Sequence, residues 1–314
     1  MYFPTAGIEC HPLIPPLVAL VVSFVTSMGG VSGAFLLLPF QMSFLGYTNP
    51  SVSATNQFYN VVAIPSGVYR FIKEGRMVWP LTCVVIIGTL PGVFIGALIR
   101  VNWLPDASNF KLFAAVVLLY IGGRMVRDLY AKAPVSGVQS AESRFQDLIK
   151  NFQHKAQTEG TALPRVRIVR WNSRLVEYEF YGEQFTFPVR GVFLLTFIVG
   201  IVGGVYGIGG GAIISPFFVS FFGLPVYTVA GAALMGTFIT SVAGVLFYML
   251  IAPYYPQLSV APDWTLGLLL GIGGMCGMYL GARCQKFVPA KYIKIILAII
   301  LIGTSFQYTL QFFR

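Results

Sequence analysis

Residues 30–68 read GVSGAFLLLPFQMSFLGYTNPSVSATNQFYNVVAIPSGV, and 177 positions later residues 207–245 read GIGGGAIISPFFVSFFGLPVYTVAGAALMGTFITSVAGV. The two stretches align without a gap. They share ten of 39 residues: Gly30/Gly207, Gly33/Gly210, Pro39/Pro216, Phe40/Phe217, Ser43/Ser220, Phe44/Phe221, Gly46/Gly223, Val52/Val229, Gly67/Gly244 and Val68/Val245. The chain is an internal duplication. Glycines and a proline lead the shared set, so backbone geometry is what the copies have in common.

Further along, the match resumes with an offset of 185, pairing Trp79/Trp264, Gly88/Gly273, Gly92/Gly277, Gly96/Gly281 and Ala97/Ala282. The eight added residues fall in the loop 252–263, whose counterpart is the link 69–78. Glycines at 88, 92 and 96, and again at 273, 277 and 281, put small residues on one helical face. Neighbouring helices can approach closely there.

The chain has 314 residues, of which 56% are hydrophobic and only 10% charged, with a mean hydropathy of +0.75. That is more apolar surface than a soluble core of this size can hide, and it excludes a soluble enzyme. Apolar runs near 13–31, 34–46, 50–72, 78–99 and 109–130 are followed by a polar region at 131–187. A second set lies near 189–206, 211–223, 226–251, 264–284 and 290–312. Most are long enough to cross a hydrocarbon layer, which takes about 20 residues. The second segment of each set is shorter, bracketed by Gly and Pro, and reads as a tilted, broken or re-entrant helix. The run from Leu13 to Met28 lacks a basic leader and reads as a retained first helix.

Charge orients the halves. The link 69–78 carries Arg70, Lys73 and Arg76, whereas the loop 252–263 has no basic residue. The positive-inside rule puts the first in the cytoplasm and the second outside. Equivalent loops on opposite faces make the repeats inverted, which five crossings per half allow. All but Arg100, Lys111 and Arg314 of the 21 Lys and Arg residues then lie inside. Re-entrant second segments would instead leave four crossings per half and parallel repeats.

The fold expectation is an all-α integral membrane protein with ten transmembrane segments as two inverted five-helix repeats and a cytoplasmic α/β insert. Residues 1–130 form the first repeat, 131–187 the insert and 188–314 the second repeat. Within the insert, Phe145, Leu148, Ile149 and Phe152 follow a helical period over 141–157. RVRIVRW and RLVEYEFYGEQFTF read as a hairpin or three-stranded meander. Cys10, Cys83, Cys276 and Cys284 show no paired spacing and read as small hydrophobes, with no metal site and no cofactor. The basic residues are scattered beside membrane helices, which suits anionic lipid and not nucleic acid.

Transport sites need polar groups at mid-depth, and interrupted helices supply them as backbone N–H groups with a positive dipole end. The glycine clusters 29-GGVSG-33 and 203-GGVYGIGGG-211 are candidates for such interruptions, which would favour anions, with helix packing as the alternative reading. Gly30, Gly33, Gly207, Gly209, Gly210 and Gly211 are the candidate backbone donors. Asn56, Gln57 and Asn60, with Thr237, Thr240 and Ser241, are the candidate side-chain contacts, and Thr237 aligns with Asn60. Arg70 could attract anions at the cytoplasmic mouth. No charged residue falls mid-helix, so neither a side-chain proton relay nor a membrane-embedded protease has its residues.

The GGxxG segment leading through a Pro-Phe pair to Gly46 and Ser53-Ala54-Thr55-Asn56, its second copy from Gly223 to Ala230, and the element from Gly67 through Tyr69-Arg70 to Gly75 resemble the sulfite exporter TauE/SafE family of membrane permeases. The likeness covers 13–130 and 189–312 but not the insert. It implies a non-enzymatic secondary transporter in the bacterial cytoplasmic membrane. Such a carrier would export sulfite, sulfoacetate or another organosulfonate by alternating access. The implied partners are that small anion, the lipid bilayer and further copies of the chain. A passive anion channel, or a receptor or assembly scaffold acting through 131–187, are the alternatives.

Overall fold

The computed structural model describes residues 1–28, 32–130, 164–211, 213–284 and 290–313. It is mostly helical. A two-residue-per-strand hairpin, β1 (Tyr2–Phe3) and β2 (Ile8–Glu9), precedes α1 (Ile14–Met28), α2 (Ala34–Ser43), α3 (Ser51–Ala63), α4 (Pro65–Lys73), α5 (Trp79–Asn102) and α6 (Ala107–Tyr130). An antiparallel meander of β3 (Arg167–Trp171), β4 (Leu175–Phe180) and β5 (Glu183–Pro188) precedes α7 (Val189–Tyr206), α8 (Ser215–Phe222), α9 (Val226–Ile251), α10 (Trp264–Cys284) and α11 (Ala290–Phe313). The amphipathic helix expected at 141–157 lies outside the described residues.

Among the described residues, α5, α6, α7, α9, α10 and α11 each contain a stretch long and apolar enough to span a membrane, while α1 and α2 are apolar but shorter. This is the architecture of an integral membrane protein. One expected element is divided: the run 50–72 is two helices, because Pro65 has no N–H to continue the ladder and opens α4 as a new first turn. Its counterpart α9 has no proline inside and is unbroken.

Each glycine row beds on a helix from the other half. Cβ atoms placed on Gly88, Gly92 and Gly96 of α5 would meet the carbonyl oxygens of Phe193, Phe197 and Ile201 of α7; those on Gly273, Gly277 and Gly281 of α10 would meet the carbonyls of Pro16, Leu20 and Phe24 of α1. Phe193 and Pro16, Phe197 and Leu20, and Ile201 and Phe24 are each 177 residues apart, so the packing repeats with the sequence. Both pairs run parallel, since the numbers rise together. The facing glycines allow close backbone approach, where packing rather than hydrophobic transfer holds helices together.

Equivalent helices meet antiparallel. In α3 and α9, Asn60 touches Ser241 while Gln57 lies against Gly244. In α6 and α11, the Lys111 ammonium donates to Gln311 (3.0 Å) and Ser305 donates to the Ala115 carbonyl (2.7 Å).

The two β elements close opposite ends of the bundle. β4 buries Val176, Tyr178 and Phe180 on alternate positions, as a strand with one packed face must. The Val166 amide donates to the Gly75 carbonyl (2.9 Å), and the Tyr178 and Thr228 hydroxyls are 2.8 Å apart. Arg76 is sandwiched between the rings of Phe71 and Tyr227 and pairs with Glu74. At the far end, the Ala6 amide donates to Asp263 (3.2 Å), and Ser259 donates to the Thr5 carbonyl (2.7 Å). Nothing in the composition of the first ten residues announces that hairpin.

Candidate functional site

The chain crosses itself where α3 and α9 meet, and both helix interruptions open onto this crossing. After α1, the segment before α2 reaches the buried face of α3. Ser32 donates to the side-chain Oδ1 of Asn60 (2.8 Å) and accepts from the Ala34 amide (3.3 Å), standing in for a cap at the start of α2. The Asn56 amide nitrogen donates to the Ala34 carbonyl (2.9 Å), and Gln41 donates to Asn56 (3.3 Å). Gly33 is required by crowding, because a Cβ there would sit 2.7 Å from the Tyr59 hydroxyl and 2.8 Å from that of Ser23.

The second interruption mirrors the first with different side chains. α7 ends at Gly207 (φ +77°), and Gly209 (φ +73°) keeps the backbone in the left-handed region, which only glycine adopts without strain. A Cβ on Gly209 would come 2.7 Å from the Ser241 hydroxyl, and one on Gly211 would come 2.6 Å from that of Thr237. The Gly210 amide donates to Thr240 (3.2 Å). Thr237 and Thr240 in turn donate to the carbonyls of Ala233 and Gly236 one turn earlier.

Asn60 joins the two interruptions. Its amide nitrogen donates to the Ile208 carbonyl (2.9 Å) and lies 3.3 Å from Ser241, while its oxygen holds Ser32. Ser53 donates to the Val205 carbonyl (3.2 Å) and Tyr206 to the Phe35 carbonyl (3.1 Å), so each half also grips the broken backbone of the other. All these side chains are buried and neutral.

The expected residues therefore divide. Gly33, Asn56, Gln57, Asn60, Gly207, Gly209, Gly210, Gly211, Thr237, Thr240 and Ser241 assemble around the crossing. Arg70 does not join them: it lies on α4, partly exposed, 2.7 Å from Glu74. Gly30 lies outside the described residues. Asn56 and Asn60 spend their polar atoms on protein groups, whereas the Gln57 carboxamide is buried with neither atom hydrogen-bonded.

Sequence reading passed over Ser32, Gln41 and Thr89, the last of which abuts the faces of Gly200 and Gly210. Ser32 sits inside the quoted GVSG and was legible there. Arg100 was also passed over as a residue of the outer boundary, yet it is fully buried.

The family model described as "Sulfite exporter TauE/SafE" matches residues 16–308, taking in both interruptions and the insert between the halves. A Bacillus subtilis (strain 168) protein described as "Probable membrane transporter protein YunE" is 23% identical over 295 residues, covering 91% of this chain and 93% of its own. A second from that organism, "Probable membrane transporter protein YdhB", is 25% identical over 122 residues, covering 39% of this chain and 46% of its own. No solved structure matches the chain. With the family model spanning almost its entire length, the chain belongs to the sulfite exporter TauE/SafE family of transmembrane transporters.

Proposed function

We propose that the protein is a secondary transporter that moves a small sulfur-containing oxyanion, sulfite or an organosulfonate such as sulfoacetate, out across the bacterial cytoplasmic membrane. One observation carries this reading: both interruptions meet at the same buried crossing, α2 starting there at Ala34 and the chain leaving it from Gly210 and Gly211 through a turn into α8. Two half-helix N-termini present positive dipole ends to a common point, and glycines keep side chains out of the way. Neutral hydroxyls and amides surround that point, so an anion can be stabilised without a fixed counter-charge that would have to be desolvated when it leaves.

The antiparallel meeting of α3 with α9, and of α6 with α11, supports inverted repeats. Helices equivalent by sequence and antiparallel in space are related by an axis lying across their direction. The short α2 and α8 then complete five crossings per half, ten in all. Residues 1–130 and 188–314 are the moving parts, and 131–187 is a cytoplasmic cap. Alternating access follows from rocking one half against the other about the crossing, with the glycine-lined contacts of α5 with α7 and of α10 with α1 as sliding surfaces.

The test is uptake of radiolabelled sulfite by liposomes containing the purified protein, beside an Asn60→Ala, Thr237→Ala double variant. Saturable flux that collapses in the folded double variant supports both carrier and site. Vesicles no more permeable to sulfite than empty ones remove sulfite as substrate, and failure of a sulfonate panel removes the carrier.

A further inference from the structure

The seam between α3 and α9 is chemically lopsided. From the Asn60–Ser241 contact toward the end closed by the N-terminal hairpin, it passes Gln57 against Gly244 and then Ser53 and Tyr248, which donate to the neighbouring carbonyls of Val205 and Gly204. Arg100 lies beyond them, donating to the Thr48 carbonyl just ahead of α3. In the opposite direction, the residues 177 positions away are Leu234 against Gly67, then Ala230 and Phe71. One half of a duplicated seam is polar and the other apolar.

Two of the polar groups are unmet. The Gln57 carboxamide is 0% exposed, and neither its oxygen nor its nitrogen has a hydrogen-bond partner. Arg100 is also 0% exposed and makes no ion pair among the described residues; its Nε has no partner. Its other nitrogens donate to the carbonyls of Leu104 and Thr48, and the guanidinium lies 3.7 Å over the Phe110 ring. Asp106, a more remote charge, is occupied by the amides of Ser108 and Asn109. Buried cations ordinarily carry a carboxylate, and buried amides ordinarily have partners, so each calls for an explanation.

Resting on the oxyanion-transporter reading, we propose that the external half of the α3–α9 seam is the anion's exit route, with Gln57 its ligand just past the crossing and Arg100 a second anion site at the outer end. The Gln57 nitrogen donates to an anion oxygen, and its oxygen accepts from the hydroxyl of a singly protonated oxyanion or from water. Arg100 then supplies a desolvated charge that supports bidentate contact with two oxygens. At the equivalent positions the cytoplasmic half of the seam presents Leu234, Ala230 and Phe71, and the cation at its end, Arg76, is already paired with Glu74.

The experiment uses a variant with Cys10, Cys83, Cys276 and Cys284 replaced by Ser that keeps the parent's thermal midpoint and is assayed in parallel for sulfite flux, carrying Ser53→Cys. Two membrane-impermeant thiosulfonate reagents, one with a sulfonate group and one with a trimethylammonium group, are added from outside. The route predicts modification about 10-fold faster by the anionic reagent, slowed by sulfoacetate, which unlike sulfite does not itself react with a thiosulfonate. Gln57→Leu, which installs the other repeat's residue, and Arg100→Gln should each bring the ratio toward one, while Arg100→Lys keeps it. Ala230→Cys, on the apolar half, should resist the anionic reagent from the cytoplasmic side. A Ser53→Cys protein inert from outside, or modified equally by both signs of reagent, overturns the route even while sulfite flux persists. Charge-selective labelling in a protein that carries no sulfite upholds the route and overturns the substrate assignment.

Discussion

Replacing Gly92 by Ala tests whether the glycine rows hold the halves together. A Cβ at Gly92 would lie 2.5 Å from the Phe197 oxygen, 2.7 Å from the Ile201 nitrogen and 2.9 Å from the Gly200 carbon. All three are backbone atoms of α7, so no side chain can rotate away. Restoring an ordinary contact near 3.4 Å moves α7 by about 0.9 Å at its tightest point. Overpacking of that kind costs about 1–3 kcal/mol. Helix propensity returns about 1 kcal/mol on Gly→Ala. Gly123→Ala in α6 is the control, since a Cβ there meets nothing within 4 Å and only the propensity gain applies. The gap between the two variants is then about 1–3 kcal/mol, on the order of 5 °C in midpoint. Thermal unfolding of the detergent-solubilised protein, followed by loss of the monodisperse chromatographic peak, reads it. Gly277→Ala should fall with Gly92→Ala, because its Cβ meets the Leu20 carbonyl in the same way. Gly92→Ala melting with or above Gly123→Ala would refute the packing argument.

Three further outcomes follow from single contacts. Asn60→Ala should lose about 1–2 kcal/mol in the same melt, since interhelical hydrogen bonds in membranes average about 0.6 kcal/mol and the Ile208 carbonyl is left unmet; an unchanged midpoint would show that Asn60 does not tie the interruptions. Gln57→Leu should raise the midpoint, by about 1–3 kcal/mol, because it removes two unpaired buried polar atoms. A fall would reveal a partner for the amide. Thr228→Val removes the hydroxyl facing Tyr178, a bond of about 1 kcal/mol. Faster hydrogen exchange of the β4 amides is the expected readout, and unchanged protection would show that the meander is held elsewhere.

The duplication was legible because its signal is glycine spacing, and glycine spacing is what the packing uses: the offsets of 177 and 185 read from residues reappear as the spacing of touching atoms at Gly92 and Gly277. Boundaries held where a helix opens on a capping residue, as Val226–Ile251 does after Pro225 and Trp264–Cys284 after Asp263. They shifted where chain entry is decided by tertiary contact, so the run expected at 211–223 is helical only from Ser215. Pro65 was visible, but an apolar run of this length gave no reason to end the helix there. At the crossing, residue type located the site without revealing how each residue is employed. Asn56, Gln57 and Asn60 are three amides on one short helix. Two of them serve backbone carbonyls and one serves nothing, a distinction set by partners 22 to 187 residues away.

The departures from symmetry carry more functional content than the symmetry itself. A perfect duplicate would place Asn60 opposite Asn60, and the two helix starts would be bridged identically. Thr237 stands at the equivalent position instead and donates within its own helix to the Ala233 carbonyl, whereas Asn60 reaches across to Ile208. The same divergence appears at the ends. Ser51 and Thr228 are equivalent positions, 177 apart, each at the start of a helix that forms the crossing. Ser51 contacts the Thr5 carbonyl of the N-terminal hairpin, whereas Thr228 contacts Tyr178 of the meander. The hairpin end is held by backbone carbonyls and Asp263, and the meander end by stacked rings and Arg76. Because the holding chemistries differ, the two ends do not open at equal cost. On the proposed alternating-access reading, the two ends open against different contacts, so substitutions at either cap shift the balance between inward- and outward-open states without touching the crossing.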